Sequence, residues 1–247
     1  MNRWKAATIH LGISAIIAIV VVVLMRLLWY PGPYFAAMGG DGLLMLIVGC
    51  DVVLGPLITL IIFKSGKRGL KLDLTIVGCI QFAALAYGAY TVFIARPVFT
   101  VFVVDRFEVV AASDIRTEEL AKATDPEFST LSITGPRVVA AKLPDDRSEG
   151  EAIALAAAGG GEDVKQLPRL YIPYEQVKAQ VAARSRPMSA LATRSSEFPE
   201  MMRRLEATGK SADDLGFLPM AARNQSMSVV VDRRSGEIKD ILPINPW

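Results

Sequence analysis

The chain has 247 residues, 52% of them apolar, but the apolar excess is concentrated in roughly the first hundred positions, so a membrane portion precedes a soluble one. Its 27 basic and 25 acidic residues leave a net charge of +2, too small and too dispersed for a nucleic-acid partner. Cys50 and Cys79 both lie in apolar runs, so no disulfide framework exists and cysteine is silent on redox compartment.

Arg3 and Lys5 precede an apolar segment over 6–28. Its core of about 20 residues exceeds the 7–15 of a signal peptide, and no small-residue cleavage site precedes Pro31-Gly32-Pro33, so a retained anchor is expected. Arg26 near its far end can snorkel toward the interface beside Trp29 and Tyr30. After a short connection over 30–41, a second apolar run spans 42–63, about 22 residues and long enough for a hydrocarbon core of roughly 30 Å. A third runs over 72–95. Gly78, Ala83, Ala84, Ala86, Gly88 and Ala89 give it a small-residue surface suited to close helix packing. The expectation is therefore three transmembrane helices. Basic residues gather at the amino terminus and in the 64–71 loop, which carries Lys64, Lys67, Arg68 and Lys71, so the positive-inside rule puts both in the cytoplasm. The chain beyond Arg96 is then periplasmic.

That remainder is long enough for one domain with its own core. The stretches 98–104 and 107–111 read as strands broken at Asp105-Arg106, a short helix begins at Ser113 or Asp114, and 137–143 is another strand. Helices are expected over 145–158, stopped by Gly159-Gly160-Gly161, then over 174–184 and 196–207. Strands return at 217–222, 227–231 and 237–242, the last two joined by a turn with Gly236 where positive φ is needed. The predicted organisation is a three-helix transmembrane domain over 1–96 and a periplasmic α+β domain over 97–247. Its antiparallel sheet should have neighbouring terminal strands and helices on one face.

Chemistry is scarce. The only histidine, His10, sits in the first apolar segment, so neither a zinc site nor a histidine-based triad can be assembled, and His10 reads as a packing or interface residue. Gly209-Lys210-Ser211 has Arg204 where a phosphate loop needs its first glycine, and Gly66-Lys67 is followed by Arg68. Asp51 and Asp73 are the two membrane acids available for a shared-proton pair, but helical rise separates them by roughly 10–15 Å. No catalytic residue, metal or cofactor is assigned. Asp51 remains the anomaly, a carboxylate that costs a few kcal/mol in mid-bilayer and must face a neighbour. It is either hydrogen-bonded within the bundle, for instance to Gln81 or Thr75, or a contact for a partner's helix. Pro56 removes a helical donor one turn on, beside Gly55.

Several motifs together resemble a known family. They are Tyr30-Pro31-Gly32-Pro33, Asp51-Val52-Val53-Leu54-Gly55-Pro56-Leu57-Ile58-Thr59-Leu60, Asp73-Leu74 with Gln81 and Ala86-Tyr87-Gly88, Arg96-Pro97-Val98, Asp105-Arg106-Phe107, and Pro246-Trp247. In order and spacing they are similar to the type IV pilin accessory proteins of the TfpX/TfpZ type, most specifically from Asp51 to Phe107. That resemblance implies an inner-membrane, non-enzymatic, chaperone-like protein. It would bind a pilin subunit by its membrane helix and periplasmic head. The residues of the membrane runs themselves offer Asp51, Gly55, Pro56, Gln81 and Gly88 as candidate contacts. The competing class is a membrane receptor whose periplasmic domain senses an envelope ligand and signals through a second protein.

Overall fold

The computed structural model describes residues 2–207 and 211–247. Asn2 caps α1 (Arg3–Leu24), its side-chain oxygen accepting from the Lys5 backbone N–H at 2.9 Å. A π turn, Met25–Trp29, prolongs this helix. The next connection holds the one-turn helix α2 (Tyr34–Ala37). Then come α3 (Gly40–Val48), a π segment Gly49–Leu54, α4 (Gly55–Ile62) and the long α5 (Leu70–Ile94). The middle helices pack against both long ones.

Among the described residues, two helices are long and apolar enough to cross a membrane, Arg3–Trp29 and Leu70–Ile94. This corrects the expectation of three. The run over 42–63 is not one uninterrupted apolar α-helix: its apolar helical piece, Asp51–Ile62, is by itself too short at about 1.5 Å per residue to cross roughly 30 Å of hydrocarbon, and the way back between the two long helices is made by α3, the π segment and α4 together. The change of helix type within this run has a local cause. Pro56 has no N–H to offer the carbonyl one turn back, and the backbone ahead of it widens into the π segment that contains Asp51.

Beyond α5, β1 (Pro97–Val103) and β2 (Arg106–Ala111) form an antiparallel hairpin. The chain continues through α6 (Thr117–Leu120), β3 (Arg137–Ala141) and α7 (Arg147–Ala158), whose N-cap Asp146 accepts from the Ser148 N–H at 2.9 Å. Next are β4 (Tyr171–Pro173), α8 (Lys178–Arg184), β5 (Arg186–Pro187) and α9 (Phe198–Glu206), then β6 (Leu215–Ala221), β7 (Met227–Asp232) and β8 (Ile238–Leu242). Gly209 and Lys210, which fail the phosphate-loop pattern, lie outside the described residues. Gly236 turns β7 into β8 with φ +71°.

The sheet is mixed, not antiparallel. Strand order is β4-β3-β1-β2-β6-β7-β8 with β5 on β6, and β1 runs parallel to β3 as β2 does to β6. Long crossovers through α6 and through α7 to α9 make those parallel pairs possible. Both faces are covered, which explains why β1, β6 and β7 are buried almost throughout instead of alternating. On one face Phe102, Phe107, Leu218, Met220 and Val229 share a core with Val181 of α8 and with Tyr34, Phe35 and Met38 of the 30–41 connection. The other face packs Phe99, Val101 and Val110 on Phe128, and Phe217 and Val230 on Met202 and Leu205.

The connection between the first two helical runs therefore acts as a strap on the sheet. Tyr34 Oη and Thr100 Oγ1 are 2.8 Å apart, Asn224 donates from its backbone N–H to the Ala37 carbonyl at 2.9 Å, and Tyr30 Oη donates to the Val92 carbonyl at 2.7 Å. Buried Arg96 closes α5 by donating to the carbonyls of Phe93 (2.6 Å) and Ser132 (3.0 Å) while lying over the Phe93 ring. A cation there also complements the negative end of the helix. At the far end of the hairpin, Arg106 pairs with Asp105 at 2.9 Å and lies 5.1 Å over the Trp247 ring. Of the motifs quoted above, Tyr30–Pro33 and Arg96–Val98 thus lie at the junction of helices and sheet, while Asp105–Phe107 and Pro246-Trp247 meet at the far end of the hairpin.

Candidate functional site

Helical periodicity gathers the polar residues of the first portion on facing stripes. Ala6, His10 and Ser14 recur every four residues on α1, Asp51, Gly55 and Thr59 do so on the middle helix, and Leu74, Gly78 and Gln81 lie on one side of α5. All of these but Gly55 line a slot of about 390 Å³ walled by α1 and α5 and floored by the middle helix, with Ile9, Ile13, Ile17, Val77, Phe82 and Leu85 supplying its apolar walls.

One layer of the slot is tightly built. His10 Nδ1 and Thr59 Oγ1 are 2.6 Å apart, joining α1 to α4. A Cβ on Gly55 would stand 2.0 Å from Gln81 Nε2 and 3.1 Å from His10 Nε2, so the absence of a side chain there lets all three helices converge. Gly88 lies further along α5, where a Cβ would stand 3.0 Å from Ile47 Cγ1. Pro56 neighbours Gly55 but does not line the slot.

Asp51 lines the same slot. It is 7% exposed, yet its carboxylate forms no hydrogen bond among the described residues, neither with Gln81 nor with Thr75. Asp73 is engaged elsewhere, 2.6 Å from Lys67 Nζ at the opposite end of α5 from the sheet. The two acids do not form a shared-proton pair. Of the sequence candidates, the structure brings Asp51, Gly55 and Gln81 together and leaves Gly88 and Pro56 aside. His10, Ser14 and Thr59 were not singled out as contacts, although their four-residue spacing from one another or from Asp51 and Gly55 carried the signal.

In the sheet region, burial pushes the Tyr171 and Tyr174 hydroxyls well above their ordinary pKa. Their roles are structural: Tyr174 Oη donates to the Gly236 carbonyl at 2.6 Å and Tyr171 to that of Lys165. Among the described residues no three His, Cys, Asp or Glu side chains gather as a metal site. Asp163 and Gln166 cap a turn, and Gly159-Gly160-Gly161 ends α7, the Gly161 N–H donating to the Ala156 carbonyl at 2.8 Å.

Fold and slot together define a class: an apolar helical portion strapped to a mixed α/β sheet. Comparison makes this specific, for the chain belongs to the fimbrial assembly protein family. It is 33% identical to the fimbrial assembly protein of serogroup I of Dichelobacter nodosus, over 93% of this chain and 90% of that protein. The serogroup E1 protein of the same organism is 32% identical over the same shares. The protein of serogroups C1 and C2 is 38% identical over 48% of this chain and 92% of its own length. The family pattern described as fimbrial assembly protein FimB matches residues 1–39, which hold α1 and most of the strap. No solved structure matches.

Proposed function

We propose that this chain is a non-enzymatic accessory of type IV pilus assembly in the bacterial inner membrane, which binds a pilin subunit and steadies it before it enters the fibre. The observation that carries this reading is the pairing of two surfaces through the strap. A helical region exposes apolar residues such as Ile16, Ile61 and Ile80 and holds polar ones inside, and a sheet domain is packed onto its end. A pilin joins an apolar membrane helix to a polar head, so such a partner meets it at both levels. In this reading Asp51 and Gln81 face the partner, and Gly55, Pro56 and Gly88 shape the helices that present them.

Orientation is set by charge. Arg3, Lys5, Lys64, Lys67, Arg68 and Lys71 lie at the amino ends of the two long helices and the sheet lies at their carboxyl ends. The positive-inside rule then places the basic ends in the cytoplasm and the sheet in the periplasm. Reporter fusions at Gly66 and after Trp247 should be active only in the cytoplasm and only in the periplasm, respectively. Functionally, deleting the gene should lower pilin abundance or surface piliation, and the tagged full-length chain should retain pilin through detergent extraction. Unchanged pilin, unchanged piliation and no co-purification together reject the reading.

A further inference from the structure

The slot walled by α1 and α5 is open along its length, so a helix lying over it can send side chains between the two walls. Its lining runs from Ala6 to Ile17 on one wall and from Leu74 to Leu85 on the other, about three helical turns or roughly 16 Å along each at 1.5 Å per residue. The walls are apolar, and Phe82 at the rim is 72% exposed. At Gly78 the wall is open, since a Cβ there would meet nothing within 4 Å.

The floor sets the chemistry of the occupant. Asp51 is more than nine-tenths buried, faces the slot and has no hydrogen-bond partner among the described residues. An acyl chain filling the slot leaves that carboxylate in hydrocarbon with nothing to accept from, the costliest arrangement available to it. Thr59 takes up His10 Nδ1, His10 reaches Asp51 only through its charge and not by a hydrogen bond, and the Gln81 carboxamide is held against Gly55. The complement of an apolar trough with one free acceptor inside is an apolar rod with one donor.

We infer that the slot between α1 and α5 receives the apolar membrane helix of the partner, which brings a hydrogen-bond donor or a cationic group to Asp51. The inference rests on the proposed pilin-binding function, taking the pilin's helix as the occupant. Apolar complementarity holds the helix, and the donor to Asp51 sets its depth and rotation. Without a hydrophobic drive between helices in lipid, close packing and such a polar contact are the terms that select one partner helix over another.

The test uses the full-length chain co-expressed with pilin. A photoreactive benzoylphenylalanine replaces Val77, which lines the slot, or Ile80, which is 65% exposed and does not. Position 77 should crosslink to the pilin helix and position 80 should not. Gly78→Leu, whose Cβ meets nothing within 4 Å, and Asp51→Leu should each lower the pilin retained per accessory chain about threefold to tenfold, the range of one interhelical polar contact. Asp51→Asn, still an acceptor, should retain more than Asp51→Leu. Adducts at position 77 made of lipid alone or of a second copy of this chain overturn the inference, as do unchanged pilin ratios in both Leu variants at normal protein levels. In those cases pilin still co-purifies with the wild type and the wider reading stands. Wild-type chain that retains no pilin rejects both.

Discussion

In the helices Ile16, Ile61, Ile80 and Phe82 face outward while Ser14, Asp51 and Thr59 are buried; in the sheet Phe107, Leu218, Met220 and Val229 are buried while Lys239 and Asp240 face outward. The inversion reflects the solvent each region meets. In water the gain from burying apolar surface is about 25 cal/mol per Å², and the sheet collects it on both faces. In lipid that gain vanishes, so outward apolar residues are neutral and the helices are held by the close seating of the Gln81 and His10 side chains on Gly55 and by the His10–Thr59 contact. The strap joins the two regimes, with Tyr34 and Phe35 in the sheet core only a few residues after α1 ends.

The sharpest break between the two regions comes from removing one large apolar side chain from each. Phe107 is fully buried, with ring centroids 5.3 Å from Phe102 and 6.1 Å from Tyr174, so Phe107→Ala should cost about 3–5 kcal/mol. Ile61 is 71% exposed, and Ile61→Ala should stay within about 0.5 kcal/mol. Thermal unfolding of the detergent-solubilised chain checks both, and equal losses would refute the lipid-facing assignment of α4's outer side.

Two glycines sharpen the comparison at a smaller scale. A Cβ on Gly236 would stand 2.0 Å from the Lys178 carbonyl oxygen at a backbone φ of +71°, and neither neighbour can move away. Gly236→Ala should therefore cost about 1–3 kcal/mol or prevent accumulation. Gly55 has an equally short approach, but to the end of the flexible Gln81 side chain. Gly55→Ala should swing Gln81 aside at about 1 kcal/mol or less. The two unfolding temperatures, measured side by side, report whether the slot yields where the sheet does not.

The strap is tested by Tyr34→Phe, which removes the partner of Thr100, a residue only 1% exposed. The loss should be about 1–2 kcal/mol, with earlier proteolysis near residues 30–39 as the readout. The most gradual effect is that of alkaline pH. Tyr171 and Tyr174 are held neutral by burial, so only the unfolded chain ionises them once pH reaches their ordinary value of about 10. Protons bound in the unfolded state then fall below those in the folded state, and stability decreases as pH rises. The expected loss is about 0.4 kcal/mol from each tyrosine at pH about 10, increasing toward about 1.4 kcal/mol per further unit. Chemical denaturation between pH 7 and 11 tracks it, and a flat profile would show these hydroxyls to be exposed.

Local rules carried much of the chain. The β1–β2 hairpin, α7 with its glycine stop, and the Gly236 turn between β7 and β8 were legible because periodicity, capping and turn chemistry act over a few neighbouring residues. The oddity of Asp51 and Pro56 was legible for the same reason. Strand direction was not, because parallel pairing of β1 with β3 and of β2 with β6 depends on where long crossovers return the chain. β4 and β5 were missed because two or three residues ending in Pro173 and Pro187 carry no period of their own. Apolar length alone counted a third uniform span where the π segment ahead of Pro56 interrupts the α-helical geometry. The slot, too, was decided in three dimensions. His10 meets Thr59 across 49 positions of sequence, and Gly55 meets Gln81 on a third helix, so only the packing of α1, α4 and α5 could assemble a polar floor from residues that each look like isolated exceptions in an apolar run.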